Sequence, residues 1–126
     1  MVGYVPSPEG RAALATGIAE ARLRGARLVV VNTSNGDAAD DDRHVAGESL
    51  VALRAELDAL DLETELRQPR SWDDVADDLD AIADEVGADL IVIGLRRRSA
   101  VGKLILGSAA SRILLTAHHA VLAVKA

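Results

Sequence analysis

The stretch IVIGLRRRSAVGKLILGS, residues 91–108, is where the reading of this sequence turns. An apolar run stops at Gly94, three arginines and Gly102-Lys103 follow, and Gly107-Ser108 opens a second apolar stretch. A continuous apolar run bounded by glycine reads as a buried strand. The segment 95–106 then reads as a twelve-residue cationic loop, and Gly107-Ser108 as the start of a helix, where unpaired backbone N–H groups suit an anion. The two commonest phosphate loops do not fit. Arg97 stands where the Walker pattern needs its first glycine, Leu104 follows Lys103 in place of a hydroxyl for Mg²⁺, and G-x-G-x-x-G is absent.

The same punctuation runs through the rest of the chain. VGYV (2–5) and LVVV (28–31) read as strands. Pro6 and Pro8 end the first, because proline cannot donate to a ladder. Ser7-Pro8-Glu9 carries a cap residue followed by a first-turn proline, so a helix is expected from there to Gly25, with Leu14, Ile18 and Ala21 inward. Residues 32–42 have the composition of an exposed loop. Leu50, Leu53, Leu57 and Leu60 form one helical stripe, and Trp72, Val75, Leu79, Ile82 and Val86 form another ended by Gly87. LETEL (62–66) alternates like a half-buried strand, and AVLAV (120–124) reads as the last strand. Strands that are apolar throughout and alternate with helices imply a mostly parallel sheet covered on both faces, a three-layer α/β domain over residues 1–126. Ligands of such sheets lie beyond the C-terminal strand ends, which is where the arginine-rich loop falls.

Composition narrows the function classes. The chain has no cysteine, which excludes disulfides and thiolate metal sites, and only one Trp, one Tyr and no Phe, which argues against a base-stacking nucleic-acid surface. His44, His118 and His119 lack metal-helix spacing. The N-terminus does not read as a secretory signal and no apolar run is long enough to span a bilayer, so a cytoplasmic protein is expected. Net charge is −6, unevenly spread: residues 1–88 carry 8 Lys+Arg against 19 Asp+Glu, whereas residues 89–126 carry 6 against 1. A positive segment on an acidic protein suggests an anionic ligand bound at one place. Asp73, Asp74, Asp77, Asp78 and Asp80 read as a solvated helix face near a positive helix N-terminus, not as a metal cluster.

The candidate anion site is therefore Gly94, Arg97, Arg98, Lys103, Gly107 and Ser108, with Ala109 offering a further helix N-terminal N–H. Here Gly94 would let a ligand come near the strand end and Gly107 would let the backbone approach it. The plain alternative is that Gly107-Ser108 only caps a helix and Leu104-Ile105-Leu106 only docks the loop.

Residues 91–126 resemble the C-terminal signature of the universal stress protein (UspA-like) family, G-x2-G-x9-G-[ST], with Gly94 matching the first glycine and Gly107-Ser108 the last pair. The resemblance implies a doubly wound five-strand parallel sheet, Rossmann-like and of the adenine nucleotide alpha hydrolase-like kind. It implies binding of ATP or another adenine nucleotide such as AMP at residues 94–108, leaving Mg²⁺ open, with Pro6 and Thr33 lining the base pocket. It also implies a dimeric stress-response factor joined through Ala120 to Val124. Two positions differ: Arg97 stands at the family's second glycine, and Pro6 at the position matched to an Asp after the first strand. These motivate a second reading, a UspA-like dimer that binds no nucleotide and acts through its protein surface. An enzyme such as a slow ATPase finds no in-line base, so no catalytic residue is nominated; His118 and His119 are expected at a helix end, remote from the loop. Membrane and nucleic-acid partners are not expected.

Overall fold

The strand and helix signals of the sequence are realised around one twisted sheet. A computed structural model describes residues 1–33, 42–69, 74–97, 104–105 and 107–126, with 42–49, 97 and 104–105 described as backbone only. In chain order the elements are β1 (Val2–Tyr4), α1 (Pro8–Arg24), β2 (Leu28–Asn32), α2 (Asp42–Asp58), β3 (Thr64–Arg67), α3 (Val75–Val86), β4 (Ile91–Arg97), β5 (Leu104–Ile105), α4 (Ser108–Thr116) and β6 (Val121–Lys125).

Five strands run parallel in the order β3-β2-β1-β4-β6. The chain builds outward from β1 through β2 to β3, then returns to the other side of β1 with β4 and β6. The order reverses between β1 and β4, so their C-terminal ends frame the crevice in which such sheets bind ligands. The expected doubly wound sheet is thus present.

Side-chain alternation along the strands separates two cores. Val2, Tyr4, Leu28, Val30 and Val92 face α1 and α2, where Leu14, Leu53 and Leu57 are buried. Val29, Val31, Ile91 and Ile93 face the other way, against Leu79 and Ile82 of α3 and Ile113 of α4. Because both faces are covered, the central strands have no polar side to show, and this is why they read as continuous apolar runs.

Local chemistry sets the helix ends. The Ser7 hydroxyl accepts from the Gly10 N–H at 3.1 Å and Pro8 takes the first turn of α1. Gly25 (φ 60°) and Gly87 (φ 65°) close α1 and α3 in the left-handed conformation that side chains resist.

Some expectations are corrected, among them the start of α2, which at Asp42 takes in the end of the expected 32–42 loop. The fourth strand does not stop at Gly94 but continues to Arg97, and Leu104–Ile105 pairs back on it antiparallel, Arg96 opposite Ile105 and Arg97 opposite Leu104. Residues 95–97 and 104–105 of the expected twelve-residue loop therefore belong to strands, since a strand that outruns its parallel neighbours needs a partner for its backbone groups. Leu60 lies past the end of α2, although it still packs on the core. Trp72 and most of the 32–42 loop lie outside the described residues.

Candidate functional site

A cleft of about 550 Å³ opens at the C-terminal ends of β1 and β4, within the size range of small-molecule sites. The β1 exit (Val5, Pro6, Ser7) forms one wall and Gly107 to Ala110 of α4 another, over an apolar floor that includes Leu79, Ile93 and Ile113. Six of the nine nominated residues line it: Pro6, Thr33, Gly94, Gly107, Ser108 and Ala109. The Arg97 side chain, Arg98 and Lys103 lie outside the described residues.

Two nominated glycines differ in why they are glycine. A Cβ on Gly94 would lie 2.6 Å from the carbonyl carbon of Glu9 and 2.9 Å from its Cβ, so the first turn of α1 occupies the side-chain direction. Packing of α1 on β4 demands this glycine, whereas the sequence suggested ligand approach. Gly107 is the opposite case. A Cβ there would meet nothing within 4 Å, and its φ of −61° suits any residue. Neither backbone strain nor internal packing requires glycine at that position. It precedes α4 with no side-chain cap on the helix, so the first N–H groups of α4 are not met by a cap side chain.

Thr33 is committed as well as present. Its N–H and its hydroxyl both donate to the Tyr4 carbonyl, at 2.7 and 3.0 Å, locking the ends of β1 and β2 together. The turn Val5–Ser7 carries no carboxylate.

Sequence reading missed two charged residues of the cleft. Arg96 and Glu9 both line it, with Arg96 Nε 3.6 Å from Glu9 Oε1. Arg96 belongs to the arginine run already noted; strand periodicity was the usable signal, because Arg96 shares a β4 face with Gly94 once the strand is extended. Nothing local to Glu9 marks it, since an acidic first-turn residue reads equally as a helix-dipole partner.

His118 and His119 lie outside the cleft lining, and they do more than end a helix; the His44 side chain lies outside the described residues. The Asp80 carboxylate accepts from the His118 N–H at 3.1 Å and meets His118 Nδ1 at 2.7 Å and His119 Nδ1 at 3.0 Å. His119 Nε2 lies 3.2 Å from Asp84. Burial pushes the Asp80 carboxyl up, but the hydrogen bonds from His119 and His118 outweigh it and hold the group below its ordinary value. The hydrogen bond to Asp80 holds the His118 imidazole above its ordinary value. The α3 carboxylates are thus only partly the solvated face that the sequence suggested: Asp74 caps α3 by accepting from the Asp77 N–H and pairs with Arg112 of α4 at 2.8 Å. Among the described residues, no group of three or more His, Cys, Asp or Glu is placed to hold a metal ion, and no helix is long and apolar enough to cross a membrane.

Known proteins agree with this architecture. A universal stress protein from Mycolicibacterium smegmatis is 43% identical over 125 residues, covering 99% of this chain and 95% of that protein. The solved universal stress protein of Archaeoglobus fulgidus superposes with a TM-score of 0.76 at 33% identity, covering 98% of this chain and 97% of that one. A structure of the universal stress protein from Archaeoglobus fulgidus in complex with dAMP gives 0.72 at 29% identity, covering 98% and 96%. The family model described as universal stress protein family matches residues 1–125, and the chain belongs to that family.

Proposed function

We propose that this chain is a regulatory domain that binds an adenine nucleotide, ATP or AMP, in the cleft between β1, β4 and α4, and acts as a homodimer in the stress response. The phosphates lie against the N-terminus of α4, and the base lies toward Pro6 and Thr33. The observation that carries the reading is Gly107: a glycine that neither conformation nor packing explains, at an uncapped helix start on the wall of a nucleotide-sized cleft. The dAMP complex of a relative supports the ligand class. For the dimer, β6 supports edge pairing, because among the described residues it pairs with β4 alone and its apolar residues are half-buried.

The test is isothermal titration of ATP and AMP, with and without Mg²⁺, into protein stripped of co-purified nucleotide, alongside Gly107→Asp. The aspartate places a negative charge where the phosphate belongs, and there is room for it in the empty protein. Binding by the wild type that Gly107→Asp abolishes, with an unchanged melting temperature, supports the reading; equal affinity in both sinks the site. The second reading, a dimer acting without nucleotide, is favoured by the carboxylate-free turn Val5–Ser7. No uptake of either nucleotide by the wild type would establish it as the leading reading.

A further inference from the structure

We propose that Arg96 is the cation that receives the ligand's phosphates, and that Glu9 holds this guanidinium at the cleft and weakens binding in proportion to phosphate charge. The inference rests on the nucleotide reading above and concerns which residues set preference among nucleoside phosphates. Gly94 and Arg96 share one face of β4. The Gly94 end of that face is filled by the backbone of Glu9, so the same residue lies beneath Arg96. Its carboxylate approaches Arg96 Nε at 3.6 Å, within ion-pair reach but beyond a good hydrogen bond. Burial is unequal: the Glu9 side chain is 15% exposed and the Arg96 side chain 76%. The carboxylate is therefore fixed, while the guanidinium is wet and loosely tied.

The hairpin then sets where Arg96 stands. Arg96 is opposite Ile105, two residues before Gly107, and both Arg96 and the start of α4 line the cleft. Two residues of chain span at most about 7 Å and the paired strands lie about 5 Å apart, so Arg96 and Gly107 are at most about 12 Å apart, and an anion between them can be met by the long guanidinium stem from one side and the helix start from the other. An anion seated at α4 can thus accept from Arg96 while Arg96 remains beside Glu9. Arginine suits this role because its planar donors match phosphate oxygens. The Glu9 carboxylate acts in the opposite sense. It neutralises part of the Arg96 charge and repels each added phosphate across a partly enclosed space, where water screens it less than in bulk. The consequence is a site whose affinity does not climb with phosphate number as a bare arginine would make it.

The rival account of Glu9 is a first-turn acid that stabilises α1 through the helix dipole. That role predicts a small loss of melting temperature in Glu9→Gln and no change in ligand preference.

Titrations of adenosine, AMP and ATP into wild type, Glu9→Gln, Arg96→Ala and Arg96→Lys separate these accounts. Arg96→Ala is expected to lose roughly tenfold in affinity for ATP and less for AMP, with adenosine unchanged and Arg96→Lys partly restored. Glu9→Gln is expected to gain roughly threefold or more for ATP, less for AMP and nothing for adenosine. The Arg96 side chain is exposed and supports no core packing, and melting curves of the two Arg96 variants check that they fold. If the wild type binds ATP but both residues shift all three ligands equally, or neither shifts any, the inference is overturned while the nucleotide site stands. If the wild type takes none of the three ligands, the nucleotide reading and this inference both fall.

Discussion

Gly94→Ala should destabilise the protein in the complete absence of ligand, and the structure says by how much. The new methyl would sit 2.6 Å from the Glu9 carbonyl carbon and 2.9 Å from Glu9 Cβ, against the 3.4–4 Å of ordinary contact. The atoms in the way belong mainly to backbone at the first turn of α1, which Ser7 pins by its cap, so they cannot rotate aside as a long side chain could. Overpacking of this kind costs about 1–3 kcal/mol, and a backbone neighbour puts the value at the upper end, about 2–3 kcal/mol. For a chain of 126 residues, unfolding entropy of roughly 2.1 cal/mol/K per residue makes each kcal/mol worth about 4 °C. Nucleotide-free Gly94→Ala is therefore expected to melt about 8–12 °C below the wild type. Gly107→Ala enters open space at an ordinary φ and loses only the N-cap preference for glycine, up to about 1 kcal/mol, so it should stay within about 4 °C. Differential scanning calorimetry on stripped protein measures both. A Gly94→Ala variant that melts with the wild type would refute the packing account and return Gly94 to a ligand role alone.

The remaining expectations concern pH and assembly. His118 has its proton affinity raised in the fold, so its contribution is fully present below about pH 6.5 and is lost as pH rises through its folded value. Asp80 is shifted down, so its contribution is present above about pH 3.9 and is lost as pH falls through its folded value. The melting-temperature gap between wild type and His118→Gln should therefore be wider at pH 5.5 than at pH 8.5; a gap that is flat or widens with pH would contradict the assignment. For the dimer, Ile91 N–H donates to the Ala120 carbonyl, so alternation along β6 turns the N–H of Ala123 away from β4. Ala123→Pro removes a donor from the open edge while sparing the β4 ladder, and under the proposed assembly light scattering should report a dimer for the wild type and a monomer for the variant. A persistent dimer would place the interface elsewhere.

What could be read from the sequence was what is decided locally. Ser7, Gly25 and Gly87 mark helix ends through their own backbone and side-chain chemistry, so the start of α1 and the ends of α1 and α3 could be placed nearly to the residue, whereas α2, with no such marker, begins at Asp42, eight residues before its leucine stripe. LVVV and LIVIG announced strands buried on both faces because burial leaves only apolar choices. Gly107 and Ser108 were found for the same reason, as a helix start following a strand. The limits came where pairing partners are distant in the chain. The Arg96–Ile105 ladder depends on how far β4 outruns its neighbours, which no local pattern encodes. Glu9 meets Gly94 and Arg96 only through the packing of α1 across β4. Asp80 and His118 are 38 residues apart, and helical periodicity placed the carboxylate on an outer face without showing that the approach to β6 folds back over it.

The basic excess after residue 88 looked like a ligand signal, and the structure divides it. Arg112 of α4 is taken by Asp74 at 2.8 Å and faces Asp77 at 3.9 Å, both at the start of α3. His118 and His119, just past the far end of α4, are taken by Asp80 and Asp84 farther along the same helix. Arg112 and the two histidines thus meet the acidic face of α3: an ion pair fastens α4 to α3 in its middle, and imidazole–carboxylate contacts fasten it at its exit. Single exposed pairs contribute little, but several along one helix restrict how it can turn. The restriction matters because the uncapped start of α4 is a wall of the cleft, and backbone N–H groups serve an anion only if their direction is fixed before it arrives. Arg96 differs from these cations in reaching the cleft itself, where it is shared with a carboxylate at 3.6 Å and largely exposed to solvent. Of the positive charge that suggested a ligand, Arg112 thus orients the helix that forms a wall of the cleft, and Arg96 lines the cleft itself.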